Sequence, residues 1–515
     1  MPLTKGLQTA PWTTALCEQA QPVQAQPSES YSWLAKTAGF EQADVDNYLL
    51  VANSLKQSVG HLGPWSIGDL AFGLKALATQ HLETAVVDEV QGDELTDRGT
   101  VEQLRDEIAL ADAVYERNIP DLCRLSGLKE ENVIKFLPDS DHLRPSYTIA
   151  VQPQHKQVIL AVRGTKSLHD ALTNLASSAE PFMGGQAHLG MLRSAEWLKE
   201  NELDMLAKLL KEHEGYSLRI IGHSLGGGTA SLLCMLLRAD EDAQRTLGTA
   251  DITCTSVATP PVVTRELALA AQDYITTVVC QHDVIARACM ATFEDIRQEV
   301  AKINWADDLK DQVLGKRLQE LATNTTNAIS SNYGVVAQHV AEVAEKAGVT
   351  EATEKVVNGV VEAWEKVTAE AQSAPEAGRK LLGRGKLELE ELPPPDQQKV
   401  KSEVKGKLQE QAAASEQDVL RLEEGLKDPQ GLSDGEVEHL EEAVGFKPPP
   451  RMYAPGRLLF IKRTGDGDEA KYTIIQGRPD QRFERIILHS SMLSDHLCST
   501  YIASLNRFLE EAKAK

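Results

Sequence analysis

The sequence predicts an α/β fold: a central, mostly parallel sheet with helices on both faces, a helical cover ahead of it and a long helical insertion near its end. Three observations carry this. Runs such as Val158-Ile159-Leu160-Ala161-Val162 are unbroken apolar stretches, as expected of strands buried on both faces. Helical stretches alternate with these runs, the order that parallel strands require. One run, Leu218 to Ile221, leads straight into Gly222-His223-Ser224-Leu225-Gly226-Gly227-Gly228 and then into an apolar helix from Thr229 to Leu237.

The bulk numbers set the frame. A chain of 515 residues, 42% hydrophobic, is long enough for one large catalytic domain with additions. A formal net charge of −23 disfavours nucleic acid and simple electrostatic adhesion to anionic membranes, because both need a basic face. Seven cysteines without framework spacing predict reduced thiols and an intracellular setting. Cys234, Cys254 and Cys280 lie in apolar runs and read as small core residues, and the lack of a CxxC gives a zinc site no support. The apolar runs are too short for a transmembrane helix. Met1 to Gln26 lacks the charged-then-apolar layout of a secretory signal. The expectation is a cytoplasmic protein with peripheral contact at a lipid surface.

In chain order, residues 1–30 are rich in Gln, Pro, Ala and Ser and read as a disordered tail. Residues 31–100 form a helical region, with Ser66 as an N-cap. The first part of the catalytic core spans 101–290. It opens with an amphipathic helix from Val101 to Glu116 and continues with strands at Tyr147–Val151, Val158–Val162, Leu218–Ile221, Asp251–Ala258 and Ile275–Cys280. Residues 291–446 are an insertion of helices rich in Ala, Glu and Lys, punctuated by Pro393-Pro394-Pro395. The core resumes over 447–515, with strands at Leu458–Ile461 and Phe483–Leu488 and a final helix from Tyr501 to Ala512.

The chemistry centres on Ser224. A strand, a tight Gly-x-Ser-x-Gly turn and a helix together make a nucleophile elbow, in which the glycines avoid collisions and the helix aims its first N–H groups at the serine. This arrangement is that of an α/β-hydrolase. A serine hydroxyl needs a base to remove its proton and a carboxylate to hold that base. In this fold both follow the serine in the chain, each on a loop after a strand. Asp283, just past Cys280, and His496, in the loop after the last strand, suit these roles. His489 is a rival base. His223 and His282 read as structural or rim residues, Asp495 as the cap of the final helix, and Asp251 and Asp273 as solvated or capping groups. For the oxyanion hole, the backbone N–H of Leu225 and the Gly164-Thr165 turn, with the Thr165 hydroxyl, are placed to donate.

Five motifs in order then resemble the class 3 lipases, on their diacylglycerol-lipase-like branch. They are Val158 to Thr165 with Asp170 and Leu172-Thr173-Asn174-Leu175; Ala187 to Leu192; Gly222 to Gly228; Val278 to Ile285; and Ala454-Pro455-Gly456-Arg457-Leu458 with Ser494-Asp495-His496. The stretch from Arg451 to His496 is similar to plant lipase-like proteins described as calmodulin-binding. The resemblance covers about Glu102 to Phe293 and Met452 to Leu505. It implies an α/β-hydrolase without cofactor or metal that hydrolyses acyl esters of glycerolipids, most readily diacylglycerol or monoacylglycerol. Ser224 is then the nucleophile, Asp283 the orienting carboxylate and His496 the base and acid, with Thr165 and Leu225 at the oxyanion hole. Asn174 and Ala286 depart from the family pattern, where Asp and Pro are usual. The alternatives are a phospholipase A1 or galactolipase with the same triad, and a non-catalytic calmodulin-binding protein on a hydrolase scaffold. The nearest basic segment for calmodulin, Arg379 to Lys386, contains two glycines and suits a target helix poorly. Ser177 to Gly185, with Pro181, Phe182 and Met183, is the segment expected to serve as a short lid.

Overall fold

The computed structural model describes residues 90–302 and 450–514, except 142, 176–177, 466–469 and 482, together with 51–52, 73–75 and 77–78. The tail, most of the N-terminal helical region, the insertion beyond 302 and the basic segment Arg379 to Lys386 lie outside the described residues. In chain order the elements are strand β1 (Asp93–Glu94), helices α1 (Arg98–Ala113) and α2 (Ile119–Ser126), strands β2 (Val133–Leu137), β3 (Tyr147–Gln152) and β4 (Gln157–Val162), and helix α3 (Leu168–Asn174). Strands β5 (Ala179–Phe182) and β6 (Gly185–His188) follow, then helix α4 (Leu189–Glu212), strand β7 (Ser217–His223), and helices α5 (Leu225–Ala239) and α6 (Glu241–Leu247). Next come β8 (Ile252–Val257), α7 (Arg265–Ala270), β9 (Ile275–Cys280), α8 (Met290–Lys302), β10 (Arg457–Thr464), β11 (Lys471–Gly477) and α9 (Cys498–Ala514).

Among the described residues one nine-stranded sheet runs in the order β1-β11-β10-β9-β8-β7-β4-β3-β2. Its centre, β4 to β10, is parallel, and the flanking pairs β11 with β1 and β3 with β2 are antiparallel. This is an α/β-hydrolase sheet. The unbroken apolar runs have the predicted cause. On β4, Val158, Leu160 and Val162 enter the core cluster shared with α4 and α5, whereas Ile159 and Ala161 enter the one shared with α1 and α9. Successive side chains of a strand point to opposite faces, so a sheet covered on both sides needs apolar residues at every position.

Local signals set the helix ends. The Asp97 carboxylate accepts the Thr100 N–H at 2.8 Å and caps α1. Asn118 does the same for α2, which ends on Gly127 at φ 71°, a left-handed position that favours glycine.

The C-terminal strand prediction is corrected. Phe483–Leu488 is irregular, and the strand beyond β10 is β11, formed by the less apolar Lys471–Gly477. The reason is the availability of sheet edges: β10 pairs with β9 on one side and β11 on the other, and β1 covers β11. Phe483, Ile486, Ile487 and Leu488 are nevertheless buried, with the Phe483 ring edge-on to Phe460. Their apolarity reflects burial as an irregular layer. Within the expected lid segment, the described residues from Ala179 onward lie on a two-stranded hairpin, β5–β6, with Met183 and Gly184 at positive φ in its turn and Phe182 buried.

Candidate active site

Register brings the relevant loops together. Leu137, Tyr147, Val162, Gly222 and Ser256 lie opposite one another across adjacent strands. The loops beyond them, including 138–146 and Arg163-Gly164-Thr165, therefore leave the sheet at the same edge as Ser224. Ser224 itself has φ 59° and ψ −131°, a conformation sparsely populated by side-chain-bearing residues. Its N–H bonds the Val257 carbonyl at 2.9 Å and its carbonyl accepts the Gly227 N–H at 2.9 Å, so both sides of the turn are held. Two glycines make the turn possible. A Cβ on Gly222 would sit 2.5 Å from the Gly226 carbonyl carbon, and one on Gly226 would sit 2.6 Å from that of Arg163.

Ser224, His496 and Asp283 are drawn from distant parts of the chain into one hydrogen-bonded line. Ser224 Oγ lies 3.0 Å from His496 Nε2, and His496 Nδ1 lies 3.0 and 3.2 Å from the two Asp283 carboxylate oxygens. A carboxylate only accepts, so Nδ1 carries the proton and Nε2 is free to accept from the serine hydroxyl. Asp283 is fully buried and holds two further donors: the Ile285 N–H at 2.9 Å and the Tyr501 hydroxyl at 2.7 Å. Tyr501 also accepts the Cys280 N–H at 2.9 Å, which ties α9 to the end of β9. Burial and the nearby Asp283 charge push the Tyr501 phenol well above its usual range, so it stays a donor.

His223, read from sequence as structural or rim, lies behind the line. Its Nε2 is 2.9 Å from the His496 carbonyl, so it donates there, and its Nδ1, 3.0 Å from Tyr115 Oη, accepts from that hydroxyl. Burial, aided by His496, lowers the His223 pKa to about 3, which keeps the ring neutral. His188 is built alike. It donates to the Asn174 carbonyl, accepts the Met191 N–H at the start of α4, and is pushed down to about 4 by burial. Asn174 thus meets the rest of the site through its backbone, and Ala286 is packed in a small core with Phe460 and Phe483.

Gly164 packs against the serine: a Cβ there would stand 2.6 Å from the His223 carbonyl oxygen, 2.7 Å from Tyr115 Oη and 3.0 Å from Ser224 Cβ. Thr165 follows it. Leu225 is the first residue of α5, so its N–H has no carbonyl of its own helix to bond.

Two departures from the sequence reading stand out, and the rival base falls away. Asp495 does not cap α9; its carboxylate accepts from the His282 N–H and the Ser491 hydroxyl. His489 is separate from the line, bonded to Ser491 and stacked on His282 with ring centroids 4.2 Å apart. Tyr115 and Tyr501 were missed, and the one available signal was a tyrosine in the apolar helix that follows the histidine loop. Among the described residues, no group of three or more His, Cys, Asp or Glu side chains is placed to hold a metal ion.

Residues 159–293 match the family model described as Lipase (class 3). Diacylglycerol lipase-alpha of Rattus norvegicus is 31% identical over 179 residues, covering 32% of this chain and 16% of that protein. Diacylglycerol lipase-beta of Mus musculus is 26% identical over 192 residues, covering 35% and 27%. The match thus spans less than a third of either relative. The triacylglyceride lipase structure of Rhizomucor miehei is similar at 18% identity and a TM-score of 0.33, covering 38% of this chain and 76% of that one. That likeness is slight, and the fold assignment rests on the sheet order. Residues 159–293 thus match the class 3 lipase family, with a sequence similar to the diacylglycerol lipases.

Proposed function

We propose that this chain is a serine lipase that cleaves acyl esters of glycerolipids, with diacylglycerol or monoacylglycerol as substrate. The observation that carries this reading is the continuous hydrogen-bonded line from Asp283 through His496 to the Ser224 hydroxyl, set at a strand–helix elbow. In the first half-reaction Ser224 Oγ attacks the ester carbonyl and His496 Nε2 takes its proton. The oxyanion that forms is stabilised by the Leu225 N–H and by Thr165. His496 then passes the proton to the departing glyceride oxygen, leaving an acyl-serine. In the second half, water attacks that ester with His496 again as base, releasing a fatty acid and restoring Ser224. Asp283 holds the imidazole in the tautomer that both halves need.

The preference for diacylglycerol draws on the relatives of that name, and a lipid surface as partner draws on exposed apolar side chains. Leu143, Met183 and Leu497 are 42, 48 and 46% exposed. Leu143 lies in the 138–146 loop, Met183 on the hairpin that pairs through Ala187 with Val263, and Leu497 directly after His496. Among the described residues no helix is long and apolar enough to cross a membrane.

The test is hydrolysis of emulsified diacylglycerol, monoacylglycerol, triacylglycerol and phosphatidylcholine by wild type and Ser224→Ala. Diacylglycerol turnover that vanishes in the variant is the expected result. Fluorophosphonate labelling at Ser224 without turnover of any of the four would reject the substrate assignment. Absence of both labelling and turnover would reject the enzyme.

A further inference from the structure

The histidine loop lacks a strand ladder to fix it. From 478 to 493 the described chain has no helix or strand, and His496 sits in the short 3-10 turn Ser494–His496 that follows. The Asp283 loop, by contrast, leaves β9 directly and is bonded to β10 through the Gln281 N–H and the Ile461 carbonyl at 3.1 Å. Something must therefore register the loose loop against the fixed one to within the tolerance of a hydrogen bond.

The residue before each partner supplies that link. The Asp495 carboxylate, through one oxygen, accepts the His282 N–H at 3.2 Å and the Ser491 hydroxyl at 2.6 Å. Ser491 in turn gives its N–H to His489 Nδ1 at 3.0 Å, and the His489 ring stacks on His282. A backbone bond from the Val284 N–H to the Met492 carbonyl, 3.2 Å, runs alongside. So the pair His282 and Asp495 repeats, one residue earlier on each loop, the union of Asp283 and His496. We propose that Asp495 is a positioning residue that latches the histidine loop to the aspartate loop and so sets the Asp283–His496–Ser224 geometry. The inference rests on that line being the reacting set.

Two observations separate this from a packing role. Asp495 is 2% exposed, yet it lines an existing cavity of about 230 Å³ shared with Gln281, Arg463, Ser499 and Ser504, so shortening it enlarges that space and does not open a new void. Burial raises its carboxyl above the usual range, and the Ser491 hydroxyl and His282 N–H pull it back, as expected of a desolvated acceptor kept for its two donors.

The experiment compares Asp495→Ala, Asp495→Asn and Ser491→Ala with wild type, by kcat and KM on emulsified diacylglycerol and by the rate of fluorophosphonate labelling at Ser224. Asn keeps one acceptor oxygen; Ala keeps none. Misplacement by a fraction of an ångström leaves binding intact and slows the chemical step, so Asp495→Ala should lower kcat about 10- to 30-fold with KM within about twofold. Asp495→Asn should recover to within about threefold of wild type, Ser491→Ala should lose about threefold, and the labelling rates should follow kcat. An unchanged kcat in Asp495→Ala overturns the proposal. So do equal losses in Ala and Asn, which would assign the effect to charge, and losses that vanish when rates are expressed per labelled serine, which would assign it to folding. Should wild type label but turn over no glyceride, the lipase reading falls, and the labelling rates of the variants still decide the latch.

Discussion

Tyr501→Phe removes one oxygen from the back of the candidate triad and leaves the ring in place. That oxygen donates to Asp283 Oδ2 at 2.7 Å and accepts the Cys280 N–H at 2.9 Å, in surroundings that are fully buried. A hydrogen bond to a charged group contributes about 1.5–3 kcal/mol, and a buried N–H left without an acceptor costs about 1–3 kcal/mol. Both effects exist in the resting fold, so the variant should lose about 3 kcal/mol of stability. Catalysis should suffer less, because two consequences oppose each other. Asp283 loses one anchor but keeps the Ile285 N–H, and a carboxylate with one donor fewer is a stronger partner for the imidazolium that forms on His496. The expected fall in kcat is therefore within about tenfold, no more than about 1.4 kcal/mol. Urea unfolding of both proteins, with steady-state kinetics at the same temperature, reads the two quantities. With a slope of about 3 kcal/mol/M, the midpoint should drop by about 1 M. An unchanged midpoint, or a kcat loss of a thousandfold with stability intact, would refute this reasoning.

Three further outcomes follow from the same geometry. Gly164→Ala sets a methyl against the His223 backbone carbonyl and Ser224 Cβ, so the turn must retreat; kcat should fall about 100-fold, and overpacking against backbone should lower stability by about 1–3 kcal/mol. His223 and His188 are held neutral with folded pKa values of about 3 and 4 against an ordinary 6.5, so the unfolded chain binds more protons than the native one between these limits. Their contribution is complete above pH 6.5 and is lost as pH falls toward 4 and then 3, at about 1.4 kcal/mol per pH unit for each ring. Unfolding free energies at pH 7 and pH 5 should differ by less in His223→Gln than in wild type, and an equal difference would deny the ring this role. Met183→Glu and Leu497→Glu should each raise the apparent KM on an emulsion severalfold and leave hydrolysis of a soluble short-chain ester within about twofold, because a charge at that edge opposes contact with lipid and does not touch the reacting atoms.

What was legible in the sequence divides along a physical line. The parallel strands β4, β7, β8 and β9 were readable because double-sided burial leaves a local mark, an unbroken apolar run. The Ser224 elbow was readable because its glycines are demanded by contacts within a few residues. Strand β11 was not, since Lys471–Gly477 is half polar, and Phe483–Leu488 looked more strand-like although both sides of β10 were already paired. Availability of an edge is a property of the whole sheet and leaves no trace in six residues.

The same distinction explains Asp495. An acidic residue just ahead of a helix is locally a cap, and that local reading is sound wherever the helix N-terminus is the nearest unsatisfied donor. Here a backbone N–H 213 residues away in sequence competes for the carboxylate and wins, because the pairing of β9 with β10 brings the loop bearing it within reach, as it does for the Asp283–His496 contact, itself 213 residues apart. Tyr501 and Asp283, 218 residues apart, meet for the same reason. These contacts share one structural cause: β9 and β10 are parallel neighbours, with Cys280 opposite Ile461, so the chain on either side of residues 303–449 is registered by the sheet. Once that pairing forms, the Asp283 loop has a fixed exit and the segment after β11 needs only short-range bonds to reach it. The triad's precision is thus divided between a ladder that places Asp283 and side-chain links that bring His496 to it. The second part is the one a single substitution can loosen without unmaking the fold.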